Sequence, residues 1–245
     1  MSSTRLPSKV LQDIAGQPML ARVVLRTRRA RSVSQVVIAT TTDPADDAIF
    51  DYCRTHGFPV FRGSQFDVLD RYYQAARLYQ AEVLVRLTAD CPLMDPAEID
   101  HVVDEFERAG VDFAANRLPP PWKRTYPIGL DIEVCTFAAL ARAWQEAKQP
   151  YEREHVMPYL YDEEGRFKTL VVDHDPDYGG LRWTVDTPED LEAVRRIYAA
   201  FGGDDGFSWL EVLDLYSQHP ELKSINQSIA AKTLTNVDHR LENQK

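Results

Sequence analysis

The stretch Gln35-Val36-Val37-Ile38-Ala39-Thr40 is short, apolar and rich in β-branched residues, and Asp43-Pro44 follows it closely. A run of this kind is typical of a buried strand in a parallel sheet. Asp is a preferred helix N-cap and Pro suits the first helical position, so a helix is predicted from Asp43-Pro44 to about His56, with a stop at Gly57. A strand followed by a helix is the repeating unit of an α/β fold.

The same alternation continues along the chain. Further strands are predicted at 60–61, 82–87, 111–115, 131–135 and 168–172. Further helices are predicted at 68–79, 95–110, 137–146, 153–161, 188–201 and 208–217, and a proline-rich loop at 116–128. The alternation predicts a mainly parallel sheet covered by helices on both faces, with ligands beyond the carboxyl ends of the strands.

Composition limits the classes of function. The 245 residues carry a formal net charge of −10, which argues against general binding to nucleic acid or to an anionic membrane. No run of 18 apolar residues predicts a membrane span, and the first residues do not resemble a secretory signal. Cys53, Cys91 and Cys135 are odd in number and widely spaced, which argues against a disulfide framework or a zinc site and favours the cytoplasm.

Positive charge is concentrated at the start of the chain. Residues 1–31 contain seven basic residues and one acidic residue. For the arginines from Arg22 onward, a solvated basic helix face is the favoured interpretation. Attraction of a phosphate group concerns Arg5 and Lys9.

The stretch Ser2-Ser3-Thr4-Arg5-Leu6-Pro7-Ser8-Lys9 brings hydroxyl residues, an arginine and a lysine together. Hydroxyls and backbone amides can cradle phosphate oxygens, while Arg and Lys neutralise their charge. The glycines of a Walker loop are absent from this stretch. A disordered basic N-terminus has the same composition, so both interpretations stay open.

Two aspartates stand where predicted extended segments end. Asp90 follows the predicted strand at 82–87, and Asp186 precedes Thr187-Pro188, which predicts a helix start. Carboxylates from two separate loops can hold one Mg²⁺, with water and phosphate oxygens as its remaining ligands. For Asp90, capping of a helix or turn is the alternative.

The stretch from Arg62 to Tyr72 combines turn chemistry at Gly63-Ser64 with a helix N-cap at Asp67. Its polar side chains are also candidates for contact with a base or ribose. These candidates are Arg62, Ser64, Asp67 and Arg71.

Taken in order, these motifs resemble the acylneuraminate and 3-deoxy-manno-octulosonate cytidylyltransferases, above all the branch of the spore coat polysaccharide biosynthesis protein F. The resemblance covers about residues 1 to 200. It rests on Ser3-Thr4-Arg5-Leu6-Pro7, Lys9-Val10-Leu11, Gly16-Gln17-Pro18-Met19-Leu20, Arg62-Gly63-Ser64, Asp67-Val68-Leu69-Asp70-Arg71-Tyr72-Tyr73, Asp90-Cys91-Pro92-Leu93, Gly129-Leu130-Asp131 and Arg182-Trp183-Thr184-Val185-Asp186-Thr187-Pro188-Glu189-Asp190-Leu191.

The resemblance implies a Rossmann-like α/β fold of the nucleotide-diphospho-sugar transferase type. It implies Mg²⁺-dependent transfer of CMP from CTP to an acidic sugar or related acid, with release of pyrophosphate, in surface polysaccharide biosynthesis. Arg5 and Lys9 would bind the triphosphate, and Asp90 and Asp186 would hold Mg²⁺. The remaining nucleotide contacts would come from Ser3, Thr4, Arg62, Ser64, Asp67 and Arg71.

The resemblance also sets expectations for organisation. A nucleotidyltransferase domain is expected over 1–218 and a polar C-terminal tail over 219–245. Relatives are often dimers, so a homodimer is one expectation and the oligomeric state stays open.

This chain departs from the family pattern in three places. Ser8 and Ala89 stand where the family usually or often has glycine. Relatives carry a hydrophobic strand before the Ser-Thr-Arg segment, and here Met1 occupies the turn that follows it. The first strand is therefore expected to be missing, which would expose the edges of its neighbours.

Two alternatives to a cytidylyltransferase stay open. A glycosyltransferase that uses a nucleotide-sugar donor would carry a DxD-type metal motif, for which Asp173-His174-Asp175 is the candidate. A truncated homologue without catalytic activity is the other, and it rests on the missing strand.

Overall fold

The computed structural model describes residues 5–118 and 124–229. The strands of this part are β1 (Asp13–Ile14), β2 (Gln17–Pro18), β3 (Ile38–Thr41), β4 (Val60–Gly63), β5 (Val83–Arg86), β6 (Phe113–Ala115), β7 (Glu133–Thr136) and β8 (Thr169–Val171). The helices are α1 (Met19–Thr27), α2 (Asp47–Thr55), α3 (Val68–Leu78), α4 (Pro96–Ala109), α5 (Phe137–Glu146), α6 (Pro150–His155), α7 (Pro158–Tyr161), α8 (Pro188–Ala200), α9 (Trp209–Gln218) and α10 (Pro220–Ser224). The predicted α/β alternation is confirmed.

The strands form mixed rather than mainly parallel sheets. β3 and β4 pair in parallel, and the larger sheet has the order β5-β7-β6-β8. Within it, β7 is antiparallel to both β5 and β6, whereas β6 and β8 are parallel.

The prediction of a mainly parallel sheet is therefore wrong at β7. Parallel strands need a crossover of a dozen or more residues that is usually helical. The described residues between β6 and β7 contain no helix, and the chain returns to pair antiparallel with the strand it has left.

A cavity lies between the β3–β4 pair and the larger sheet, next to β3 and β5. Among the described residues, the β3–β4 pair forms no ladder with the larger sheet. The cavity has a volume of about 430 Å³ and is lined by both strands, including Ile38, Val83 and Val85. No described strand pairs with β3 or β5 on the side that faces this cavity.

The expectation of a solvated basic face is wrong for Arg22 and Arg26 on helix α1, whereas Arg28, Arg29 and Arg31 are exposed as expected. Arg22 is 3% exposed and Arg26 is fully buried. Arg22 donates to the carbonyl oxygens of Ile14 and Ala15, and Arg26 donates to that of Met94. Burial of these guanidinium groups is tolerated because neighbouring carbonyl oxygens accept their hydrogen bonds. The number of charges along the sequence does not reveal such acceptors.

Packed structure continues past residue 218. Leu222 belongs to the same core cluster as Trp183 and Val185, and Asn226 is 3% exposed. Residues 219–229 of the expected tail thus pack on the domain, and residues 230–245 lie outside the described part. None of the described helices has the length and apolar character needed to cross a membrane.

Candidate active site

Lys9 lies between two carboxylates from distant parts of the chain. Its Nζ donates to Asp90 Oδ2 at 2.7 Å, to Asp186 Oδ1 at 2.8 Å and to the carbonyl oxygen of Val185 at 3.0 Å. Burial alone would lower the pKa of Lys9, but Asp90 and Asp186 outweigh it and raise that pKa above its ordinary value. The ammonium therefore stays charged and joins three loops.

The turn around Ser8 directs Lys9 into the site. Ser8 has φ 56° and ψ 25°, the left-handed conformation that costs a residue with a Cβ about 1–2 kcal/mol and glycine little. The following 3₁₀ turn, Lys9–Leu11, packs Val10 and Leu11 against a hydrophobic cluster. The left-handed conformation of Ser8 thus explains why glycine suits this position in the family pattern.

Asp186 is surrounded by positive charge. Arg5 Nη2 lies 3.1 Å from Asp186 Oδ2, and Arg182 Nη2 donates to the same oxygen at 2.8 Å. Burial alone would raise the pKa of Asp186, but Lys9, Arg182 and Arg5 together hold it below its ordinary value. Asp186 is therefore an ionised carboxylate in the folded protein.

Backbone contacts fix Asp90 relative to Asp186. The amide of Val185 donates to the carbonyl oxygen of Asp90 at 2.8 Å, and the Thr184 hydroxyl donates to the same oxygen at 3.3 Å. The loop after β5 and the segment before α8 therefore meet at one edge. The structure brings together Arg5 and Lys9, predicted to bind the triphosphate, and Asp90 and Asp186, predicted to hold the metal.

A buried network supports Asp186 from behind. Asp190 is fully buried and accepts from Arg182 Nε at 2.9 Å and from the amides of Asp186 and Thr187 at 3.0 and 3.1 Å. Asn226 Nδ2 donates to Asp190 Oδ1 at 2.8 Å. The C-terminal part of the described chain thereby reaches the site through Asp190 and Arg182.

The sequence motifs did not identify this supporting role. Asp190 lies in the first turn of α8, where it completes a capping box with Thr187, and that local role already explains an aspartate at this position. The spacing of four between Arg182, Asp186 and Asp190 is the only local signal. Asn226 carries no local sequence signal, because its side-chain hydrogen bonds reach residues 36 and 44 positions away.

Arg62 and Arg71 hold the loop between β4 and α3 in place. Arg62 Nε donates to the carbonyl oxygen of Thr41 at 2.7 Å, and its Nη2 lies 2.7 Å from Asp47 Oδ1. Arg71 Nη1 donates to the carbonyl oxygen of Ser64 at 2.7 Å.

The predicted N-cap at Asp67 is confirmed. Its Oδ1 accepts from the amide of Asp70 at 2.8 Å, and its own amide donates to Ser64 Oγ at 3.0 Å. Arg153 forms an ion pair with the same carboxylate. These contacts account for Ser64 and Asp67 structurally, and their contact with a nucleotide stays a prediction. Ser3 and Thr4 lie outside the described residues.

A second charged cluster lies at the ends of β5, β6 and β7. Glu133 pairs with Arg86 and lies 3.7 Å from Arg117 Nη2, while Arg124 pairs with Asp131. Three guanidinium groups and two carboxylates leave a formal charge of +1. The Nε atoms of Arg86 and Arg117 are buried and have no hydrogen-bond partner within the described part of the chain.

Asp173-His174-Asp175 takes part in a different set of contacts. Asp173 accepts from the Thr125 hydroxyl at 3.3 Å. The His174 ring packs against Tyr126 and Trp209, with ring centroids 5.3 and 5.1 Å apart. Through His174 the motif thus contributes to an aromatic cluster.

Asp90 and Asp186 are the candidate ligands for a divalent cation. No group of three or more His, Cys, Asp or Glu side chains suited to a metal occurs in 5–118 and 124–229. The Lys9 ammonium between the two carboxylates shows that they accept a shared positive charge. Two carboxylates leave most of the roughly six positions around Mg²⁺ to water and phosphate, so the pair fits a metal that arrives with a nucleotide.

Residues 1–202 match the family model described as Cytidylyltransferase. The chain is 33% identical over 239 residues to an uncharacterized protein of Methanocaldococcus jannaschii, covering 96% of this chain and 95% of the relative. It is 30% identical over 231 residues to the spore coat polysaccharide biosynthesis protein SpsF of Bacillus subtilis, covering 90% and 92%. A solved cytidylyltransferase structure from Leptospira borgpetersenii superposes with a TM-score of 0.85 at 31% identity, covering 95% of each chain.

Proposed function

Because this chain belongs to the cytidylyltransferase family, we propose that it transfers CMP from CTP to an acidic sugar or a related acid and releases pyrophosphate. We further propose that the reaction depends on Mg²⁺ and serves the biosynthesis of a surface polysaccharide. The convergence of Arg5, Lys9, Asp90 and Asp186 at one edge of the fold is the observation that carries this proposal.

In the proposed reaction, an acceptor hydroxyl oxygen attacks the α-phosphorus of CTP and loses its proton. The bond from that phosphorus to the β-phosphate oxygen breaks, and pyrophosphate leaves. Charge accumulates on the phosphate oxygens during this step, so fixed cations and good alignment supply most of the catalysis.

Arg5 and Lys9 would neutralise the triphosphate. Both approach Asp186 from the N-terminal loop, and Lys9 also contacts Asp90. Asp90 and Asp186 would hold Mg²⁺, which when bound neutralises phosphate oxygens and aligns them for the displacement. Arg182 and Asp190 would keep the Asp186 carboxylate in one orientation through their hydrogen bonds.

An anionic acceptor is supported by the cluster around Glu133. Its formal charge of +1 and the two buried Nε–H groups of Arg86 and Arg117 suit a ligand that carries a carboxylate. A role in polysaccharide biosynthesis is supported by the similarity to the spore coat protein of Bacillus subtilis.

The proposal is tested by following pyrophosphate release from CTP and Mg²⁺ with a panel of sugar acids. We expect release that requires both Mg²⁺ and one of the acids. Asp90→Ala and Asp186→Ala should each reduce the rate by about 10²-fold or more, as loss of a group that stabilises transition-state charge does.

Asp51→Ala provides the matched control, since Asp51 is an exposed aspartate on α2. It should leave the rate unchanged. Release at the parent rate in both Asp90→Ala and Asp186→Ala would contradict the assignment of the two carboxylates.

A further inference from the structure

The Lys9 ammonium is held where the two proposed metal ligands face each other. Its Nζ is 2.7 Å from one oxygen of Asp90 and 2.8 Å from one oxygen of Asp186, and the side chain is 15% exposed. The carbonyl oxygen of Val185 completes its surroundings at 3.0 Å. All three partners are acceptors, as a small cation requires.

A divalent cation bound to the same two carboxylates would need nearly the same place. Mg²⁺ lies about 2.0–2.1 Å from its oxygen ligands, so a Mg²⁺ shared by these oxygens would stand within a few ångströms of Nζ. Two positive groups at that separation repel each other, and partial burial of the site strengthens the repulsion. The metal and the ammonium therefore exclude each other at this point.

Lysine is suited to leaving such a position. Its charge sits at the end of a flexible four-carbon stem with rotatable donors. Arg5 comes from the same loop and pairs with Asp186, so this carboxylate keeps a cationic partner when Lys9 leaves. A triphosphate at the site would offer phosphate oxygens to the displaced ammonium.

We propose that Lys9 is an exchangeable internal cation, which holds Asp90 and Asp186 together without nucleotide and gives up its place to the metal when a nucleoside triphosphate arrives. This inference rests on the proposed function. Its consequence is that metal and nucleotide bind together, whereas the metal alone binds weakly. Lys9 thus opposes binding of the free metal and favours binding of the metal–nucleotide complex.

The test measures the affinity of the full-length protein for Mn²⁺ by electron paramagnetic resonance, with and without CTP. In the parent, CTP should raise the affinity for Mn²⁺ by about tenfold or more, within the usual range of coupling between two ligands. Lys9→Met keeps an unbranched side chain, shorter by one heavy atom, and removes the charge. It should bind Mn²⁺ alone about tenfold more tightly than the parent does. The gain from CTP should be smaller than in the parent, because only the direct contribution of the phosphate ligands remains.

Lys148→Met is the control, since Lys148 is an exposed lysine after α5, and it should bind Mn²⁺ as the parent does. Lys9→Gln gives a second neutral variant, and circular dichroism verifies that both Lys9 variants are folded. Equal affinity for Mn²⁺ alone in the parent and both Lys9 variants would overturn the exchange, as would the absence of coupling to CTP in the parent.

The exchange and the proposed function can fail separately. Pyrophosphate release that depends on Asp90 and Asp186, without a gain of Mn²⁺ affinity in Lys9→Met, would overturn the exchange and leave the function standing. A gain of Mn²⁺ affinity in a protein that releases no pyrophosphate with any sugar acid would support the exchange and contradict the function.

Discussion

The Asp190 carboxylate is the most heavily bonded side chain behind the site, and Asp190→Asn removes its charge with almost no change in shape. Its Oδ1 accepts from Arg182 Nε at 2.9 Å and from Asn226 Nδ2 at 2.8 Å. Its Oδ2 accepts from Arg182 Nη2 at 3.1 Å and from the amides of Asp186 and Thr187. Whichever oxygen becomes the amide nitrogen, at least two buried donors lose their acceptor.

The expected loss of stability follows from the number of buried donors that lose their acceptor. A buried hydrogen bond to a charged group contributes about 1.5–3 kcal/mol, and removal of one partner of a buried ion pair costs about 3–5 kcal/mol. Since Asp190 is 0% exposed and Arg182 is 8% exposed, solvent cannot replace the lost acceptor. We therefore expect Asp190→Asn to lower the free energy of unfolding by about 3–5 kcal/mol.

Equilibrium unfolding in urea measures this difference, and thermal unfolding gives an independent value. For a domain of this size, 1 kcal/mol corresponds to about 2–4 °C, so the midpoint should fall by about 6–20 °C. Glu189→Gln is the matched control, since Glu189 is the exposed neighbour on the same helix and should change stability by less than about 0.5 kcal/mol. A loss below about 1 kcal/mol for Asp190→Asn would refute the reasoning from buried acceptors.

Two further substitutions test the packing around the site. Gly129→Ala should destabilise the protein by about 2 kcal/mol or more in the same unfolding assay, because φ is 110° and a Cβ would lie 2.6 Å from the Thr184 amide nitrogen. Gly180→Ala is the control, since a Cβ at that position meets open space. Equal losses of stability in the two variants would contradict the steric explanation. Burial raises the pKa of Glu98, so above the ordinary carboxyl pKa the unfolded chain releases a proton that the folded chain retains, and stability falls as pH rises. In the same unfolding assay, the stability of Glu98→Gln relative to the parent should therefore increase as pH rises from 4 to 8. A difference in stability that stays constant across that range would contradict the raised pKa of Glu98.

Helix starts could be predicted from the sequence because their chemistry is local. Asp95 accepts from the amide of Ala97 and opens α4, and Thr187 caps α8 as predicted. The helix predicted at 137–146 coincides with α5. At 153–161 the prediction is one helix and the structure has two, because Pro158 begins α7 after a break at Val156, where φ is 73°.

Strand pairing and buried charge could not be predicted, because both depend on residues far apart in the chain. The antiparallel course of β7 is decided by a connection without a crossover, which its apolar sequence does not encode. Arg22 looked like a surface residue, and its acceptors include Asp205, 183 positions away.

In the candidate site, too, local features could be predicted from the sequence and long-range contacts could not. Asp90 and Asp186 could be singled out because each stands at the end of a predicted extended segment. Thr187 serves as the cap after Asp186, whereas for Asp90 a capping role was the alternative. Their joint contact with Lys9 spans 81 and 177 positions and emerges only in the folded chain. Hydrogen bonds that span so many positions leave no periodic signal in the sequence.

The position of a radioactive label in the products tests the central claim most directly. The protein is incubated with Mg²⁺, a sugar acid that supports pyrophosphate release, and CTP labelled with ³²P at either the α- or the γ-phosphorus. Transfer of CMP predicts that the α-label moves to the sugar acid and that the γ-label leaves in pyrophosphate. Transfer of the γ-label to the acceptor, or retention of the α-label in a free nucleotide, would contradict the account.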